Sequence, residues 1–294
     1  MVDINLIKQL REMTQAGFSD CKTALEKHNG NLEEAVKYLR EKGIAKAAKK
    51  AGAIAAEGAT LVAAEGNNAI IVEVNSQTDF VAKNDNFINL CEEIKTALLN
   101  SQVKTLEEAQ TVKLTNGETI ANNCETLTGK LGEKIVLRRF VRLTKTNEQD
   151  FGCYQHANKR YSSLIVFDKK VDDQIKKNIA MHIVAMNPKF ISDKQISKEW
   201  LENERAVITQ QVVNSGKPKE FAGKIVEGKL HKSLTEVCLY DQEYEFLAGK
   251  KIIDIVKQYN FEVVYFTRYE VGEGIEKKET NFAAEVAAQM GDNK

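Results

Sequence analysis

The sequence predicts an α+β protein with four parts. These are an N-terminal three-helix module, a two-lobed core of antiparallel strands and helices, an antiparallel helical hairpin inserted in the second lobe, and a C-terminal helix. Three observations carry this. Apolar residues recur at helical spacing over residues 1–43 and change to strand-like runs after Gly58. The order strand, loop, helix at 69–99 returns at 162–186, as a pseudo-repeat would. Proline occurs only at positions 188 and 218 of 294, so long helices can run unbroken. At roughly 100–200 residues per domain, the length suggests two to three domains.

In the first module (1–43), Ile4, Ile7 and Leu10 share one helical face, with Leu6 beside it. Gln15-Ala16-Gly17-Phe18 breaks the pattern. Cys21, Ala24, Leu25 and His28 line a second helix, which Gly30 is placed to end. Asn31 and Glu34 have the spacing of an N-cap and its capping glutamate. They open a third helix with Leu32, Ala35, Val36 and Leu39 inward, expected to stop at Gly43. Residues 44–57 read as a helical connector. Its Lys46, Lys49 and Lys50 are foremost a solvated face, with contact to an acidic partner the lesser reading.

The first lobe (58–144) begins with strand runs at 59–63 and 69–74 around the turn residues Gly66-Asn67-Asn68. A helix is expected over 86–99 with Phe87, Leu90, Ile94 and Leu98 inward, then a short helix at 105–110 and a strand at 135–141. The second lobe (145–280) has a strand at 162–167 and a helix at 171–186 bearing Ile175, Ile179, His182 and Ile183. Its last strand is at 263–269. The hairpin occupies about 193–228: Trp200, Leu201, Ile208 and Val212 trace one helix, and Phe221, Ile225 and Val226 begin the return, stopped by Gly228. In the C-terminal part (281–294), Asn281 is a helix cap and Phe282, Val286 and Met290 form a stripe.

Charge and composition exclude several classes. Lys plus Arg number 42 and Asp plus Glu 42. That balance argues against a nucleic-acid binder working by bulk charge and against a disordered polyelectrolyte. The 5 cysteines are dispersed, so neither a CxxC site nor a disulfide framework is expected, and a reducing compartment follows. No apolar run approaches the ~18 residues of a membrane span. The first residues resemble neither a secretory nor a transit peptide, so a cytoplasmic location is expected.

The sequence carries few motifs of known chemistry. The positions five before the glycine of the Gly-Lys pairs at 129, 216, 223 and 249 hold Cys124, Gln211, Pro218 and Tyr244, so none of these four belongs to a Walker A loop. Gly272-Glu273-Gly274 lacks the third glycine of a dinucleotide fingerprint, which would fall on Lys277. His28, His156, His182 and His231 have no metal-ligand spacing, and GxSxG is absent. His28 and His182 read as core or boundary residues. His156, in the polar loop Cys153-Tyr154-Gln155-His156 next to Lys159-Arg160, reads equally as a contact residue and as a solvated one. No metal, cofactor or covalent catalysis is expected.

One segment stands apart: Asn75-Ser76-Gln77-Thr78-Asp79-Phe80-Val81-Ala82-Lys83-Asn84-Asp85, between a strand and a helix. Leaving Phe80 in water forgoes about 1.5–3 kcal/mol of burial. Spacing alone leaves two readings, an exposed tip or a ring folded back under its own helix, and leans to the second.

The run 78–84 resembles the signature of the translation elongation factor Ts family, whose members exchange guanine nucleotide on elongation factor Tu. Residues 5–25 resemble that family's ubiquitin-associated-like N-terminal module. Residues 45–58 resemble its connector and residues 270–288 its C-terminal signature, so the similarity spans the chain in order. Phe18-Ser19 stands where the family more often has two methionines, and the loop 154–160 is only loosely similar. The resemblance implies a protein-binding factor with elongation factor Tu as partner, without nucleic acid or membrane. Thr78, Asp79, Phe80 and Val81 would displace Mg²⁺ from the partner's GDP site, and GTP would later displace the factor. Arg11, His156 and Phe282 would be secondary contacts. The alternative is a ubiquitin-type adaptor using the Gly17-Phe18 loop.

Overall fold

The computed structural model describes residues 2–14, 16–215 and 219–276, with backbone alone at 44–46 and 219–222. The segment 281–294, including the expected helix and Phe282, lies outside the described residues, as does most of the turn at 215–218. Among the described residues the chain is α+β with two small antiparallel sheets.

Helices α1 (Ile4–Thr14), α2 (Phe18–Lys27) and α3 (Leu32–Lys50) bury Ile7, Leu10, Cys21, Ala24, Leu25 and Ala35 against one another. The Asn31 side chain accepts the Glu34 N–H and caps α3 as its spacing predicts. Gly43, however, does not stop α3, which continues through the expected connector to Lys50. The residues that follow are strong helix formers, and it is Gly129, facing the Gly43 backbone, whose missing side chain permits close packing. At Gly129 an added Cβ would stand 2.6 Å from the Cα and O of Gly43, so the two backbones touch where α3 crosses α7 (Ile120–Leu131).

The first sheet orders β1 (Glu57–Glu65), β2 (Asn68–Ser76) and β3 (Val136–Thr144), each antiparallel to its neighbour. The second orders β4 (Asp150–Gln155), β5 (Tyr161–Phe167) and β6 (Val263–Glu270) in the same way. Each sheet is a hairpin followed by a helical excursion and a third strand beside the second. This is the duplicated plan that the sequence order suggested.

The sheets stack face to face. Ala69 and Ile71 from the first meet Leu164, Val166, Phe151 and Tyr269 from the second. Thr60 Oγ1 lies 2.8 Å from Ser162 Oγ in the same seam. Alternate residues point the other way. Ile70, Val72 and Val74 pack on Phe87, Leu90, Ile94 and Leu98 of α5 (Asp85–Asn100) and on Ile120 and Leu127 of α7. Ile165 and Phe167 pack on Ile179 and Ile183 of α8 (Asp173–Met186) and on Ile252 and Ile255 of α11 (Ile252–Gln258). With both faces covered, β2 is buried from Ala69 to its end, which explains the apolar run from Ala69 to Val72. The short helix α6 (Leu106–Thr111) is closed by a capping box between Thr105 and Glu108.

Two further expectations are corrected. The polar stretch around Cys153 is not a loop but strand β4, where Gly152 lies under the Phe167 ring; a Cβ there would meet Phe167 at 2.9 Å. Gly228 does not end the hairpin's return. Helices α9 (Lys198–Asn214) and α10 (Lys219–Val237) pair through Ile208, Val212, Val226 and Leu230, and the seam carries α10 past the glycine.

A buried charge cluster joins the sheets. Glu73, fully buried on β2, accepts hydrogen bonds from Arg138 Nη1 (2.8 Å), Arg139 Nε (2.5 Å) and the Gly272 N–H (2.8 Å). Arg139 also lies 4.1 Å over the Tyr269 ring. Burial alone would lower the Arg139 pKa, but Glu73 and Glu273 outweigh it and the net shift is upward. Gly272 has φ +76° and a Cβ there would stand 2.2 Å from the Ala56 carbonyl oxygen. Only glycine fits that approach.

Candidate functional site

The segment singled out in the sequence forms a tip at the end of the most buried strand. After β2 ends at Ser76, the Ser76 hydroxyl donates to the Thr78 carbonyl (3.0 Å) and turns the chain. Thr78 caps the one-turn helix α4 (Asp79–Ala82), its Oγ1 accepting from the Val81 N–H at 3.4 Å. Asn84 then caps α5 by accepting the Asn86 N–H at 2.9 Å. Two helix starts within seven residues leave no slack in the connection.

A single turn cannot send neighbouring residues the same way. Val81 takes the inward position and joins the helix-covered core of the first sheet. Phe80 is thereby turned out, with 82% of its surface exposed. It is the most exposed large hydrophobic residue among those described. The fold-back that spacing favoured is therefore overturned, because Val81 already occupies the place beneath the helix.

Beside the ring, the Asp79 carboxylate accepts from Lys83 Nζ at 2.7 Å. That hydrogen bond chiefly, with the Lys83 charge, holds the Asp79 carboxyl below the usual carboxylate range. The tip thus presents an apolar ring and an ionised carboxylate side by side. A second tie was not visible in the sequence: Glu133, between α7 and β3, accepts from both the N–H and the hydroxyl of Thr78. Nothing in local sequence could have paired residues so far apart.

The other expected contact residues lie elsewhere, and none is in the tip's hydrogen-bond network among the described residues. Arg11 is exposed on α1. His156 is exposed in the β4–β5 hairpin, its Nδ1 accepting the Asn158 N–H at 3.4 Å and its ring edge-on to Tyr154 and Tyr161. His182 is a core residue, its Nε2 lying 3.0 Å from Gln242 Oε1. Burial pushes the Cys124 and Cys153 thiols up to about 12, far from a nucleophilic thiolate at neutral pH. Among the described residues no group of three or more His, Cys, Asp or Glu could hold a metal ion, and no helix is long and apolar enough to cross a membrane.

Comparison with known proteins follows the same lines. A family profile described as "Elongation factor TS" matches residues 77–273. A relative named "Elongation factor Ts", from Malacoplasma penetrans (strain HF-2), is 46% identical over 290 residues, covering 98% of this chain and 99% of its own.

Proposed function

The chain belongs to the elongation factor Ts family, and from that premise we propose that it releases GDP from elongation factor Tu by driving the 78–81 tip into the partner's nucleotide domain. The observation that supports this is the ring of Phe80 standing in water with an ionised Asp79 next to it. An exposed phenylalanine on a tightly held turn gains its burial only from another molecule.

The steps follow from charge and packing. Phe80 fills an apolar pocket on the partner. Asp79 would exchange Lys83 for groups around the partner's Mg²⁺ site, where its negative charge would disturb the binding of that ion. Without Mg²⁺ the diphosphate is poorly neutralised and GDP leaves. Linkage makes the effect reciprocal: the factor weakens GDP binding as much as GDP weakens the factor's. GTP binding then displaces the factor. Thr78 and Val81 act by holding the turn. No bond to the factor forms or breaks.

The remaining parts are read as docking surfaces in this proposal. Residues 1–43, as a ubiquitin-associated-like module linked by 44–57, would set Arg11 on the nucleotide domain. The first lobe (58–144) carries the tip, and the second lobe (145–280), with His156, would hold another domain of the partner. Phe282 and the segment 281–294 would clamp outside. The ubiquitin-adaptor reading gains no support, since the family match lies beyond the first module.

The test is release of fluorescent GDP from elongation factor Tu by full-length Phe80→Ala and Asp79→Ala. Both variants should keep the fold and lose most of the stimulation. Wild-type stimulation by both would end this reading.

A further inference from the structure

We propose that Glu133 is the positioning residue of the tip, fixing where Phe80 and Asp79 stand; this rests on the exchange reading above. Glu133 Oε2 lies 3.0 Å from the Thr78 backbone nitrogen, and Thr78 Oγ1 lies 2.8 Å from Oε1 and 2.9 Å from Oε2. The hydroxyl carries one proton, which it gives to this carboxylate. Its lone pairs are then free for the Val81 N–H. One side chain thus sets the hydroxyl that caps α4, and through it the direction of the turn bearing Phe80.

The geometry is specific to a carboxylate. Two donors, an N–H and an O–H, converge on two acceptor oxygens. Glutamine would set its NH₂ against one of them. Aspartate is one methylene short. The neighbouring residue repeats the tie in reverse: the Lys134 N–H donates to Gln77 Oε1 at 2.9 Å. The loop itself is held independently, since the Ile135 N–H donates to Thr128 Oγ1 at 2.9 Å. Among the described residues Glu133 has no partner except Thr78. Its carboxylate therefore serves the tip and not the loop that carries it.

The experiment uses the full chain as Glu133→Gln, Thr78→Val, the double variant and Phe80→Ala. Hydrogen exchange of the Val81 amide is measured without partner, and the maximal rate of fluorescent GDP release with saturating factor. In Glu133→Gln the Val81 amide should exchange about 10-fold faster, and the maximal release rate should fall about 10-fold at nearly unchanged Tm. In the Thr78→Val background, Glu133→Gln should cost less than half of that on a logarithmic scale, because both act through one hydroxyl. Unchanged Val81 exchange overturns the inference whatever the partner does. So does wild-type release by Glu133→Gln when Phe80→Ala abolishes it, and that outcome leaves the exchange reading standing. Wild-type release by Phe80→Ala overturns the exchange reading and this inference with it, even if Val81 exchange quickens.

Discussion

Adding one methyl group on either side of the α3–α7 crossing should change stability in opposite directions. In Gly129→Ala the new Cβ would lie 2.6 Å from the Cα and O of Gly43 and 2.9 Å from its carbonyl carbon. Ordinary contact begins at 3.4 Å, so the helices must part by about 1 Å. The obstacle is backbone and cannot rotate away. Overpacking of this kind costs about 1–3 kcal/mol, and the better helix propensity of alanine returns about 0.5–1 kcal/mol. The net loss reaches about 2.5 kcal/mol. In Gly43→Ala the added Cβ meets nothing within 4 Å, so only the propensity gain of about 0.5–1 kcal/mol remains. Urea unfolding measures both changes, and hydrogen exchange over 32–50 locates them, with α3 amides exchanging faster in Gly129→Ala alone. Equal stabilisation by both variants would refute the crossing.

The other predictions concern buried charge. Glu73→Ala leaves Arg138, Arg139 and the Gly272 N–H without their shared acceptor, and should cost about 3–5 kcal/mol by calorimetry. Asp150 predicts a pH dependence. Burial pushes its carboxyl up, but the hydrogen bond from Lys176 at 2.8 Å, the Val171 N–H and the charges of Lys176 and Lys170 outweigh this, and the net shift is downward. A carboxyl with lowered pKa adds stability above its unfolded value of 3.8 and loses it as pH falls through the folded value. The gap in Tm between wild type and Asp150→Asn should therefore be widest near neutrality and close as pH drops below about 4.

Local chemistry made much of the fold legible. Asn31 with Glu34 marked a helix start, Gly66-Asn67-Asn68 marked a hairpin, and Phe87, Leu90, Ile94 and Leu98 marked the buried face of α5. Elements that depend on distant partners were not legible. Helix α7 is rich in Asn and Thr and forms because Ile120, Cys124 and Leu127 close the first core. Strand β4 contains a glycine that makes sense only beneath Phe167. Gly43 and Gly228 read as stops because local sequence does not show which glycines face another helix or lie along a packed pair. At the site, the residue types pointed to Phe80, but its direction was decided by Val81 taking the core position, and Glu133 was invisible because its bond to Thr78 spans 55 residues.

The outward ring has a kinetic consequence. Phe80 stands on a turn capped at both ends, so in the proposed exchange reaction a colliding partner would find it already displayed, and no rearrangement of this chain would have to precede capture. Covering it yields about 1.5–3 kcal/mol, roughly 10- to 150-fold in affinity, at the cost of only the ring's own rotamer freedom. Encounters should thus be limited by diffusion and orientation. On the proposed exchange reading, the slow step of the cycle then falls on the partner, in the loss of its bound nucleotide.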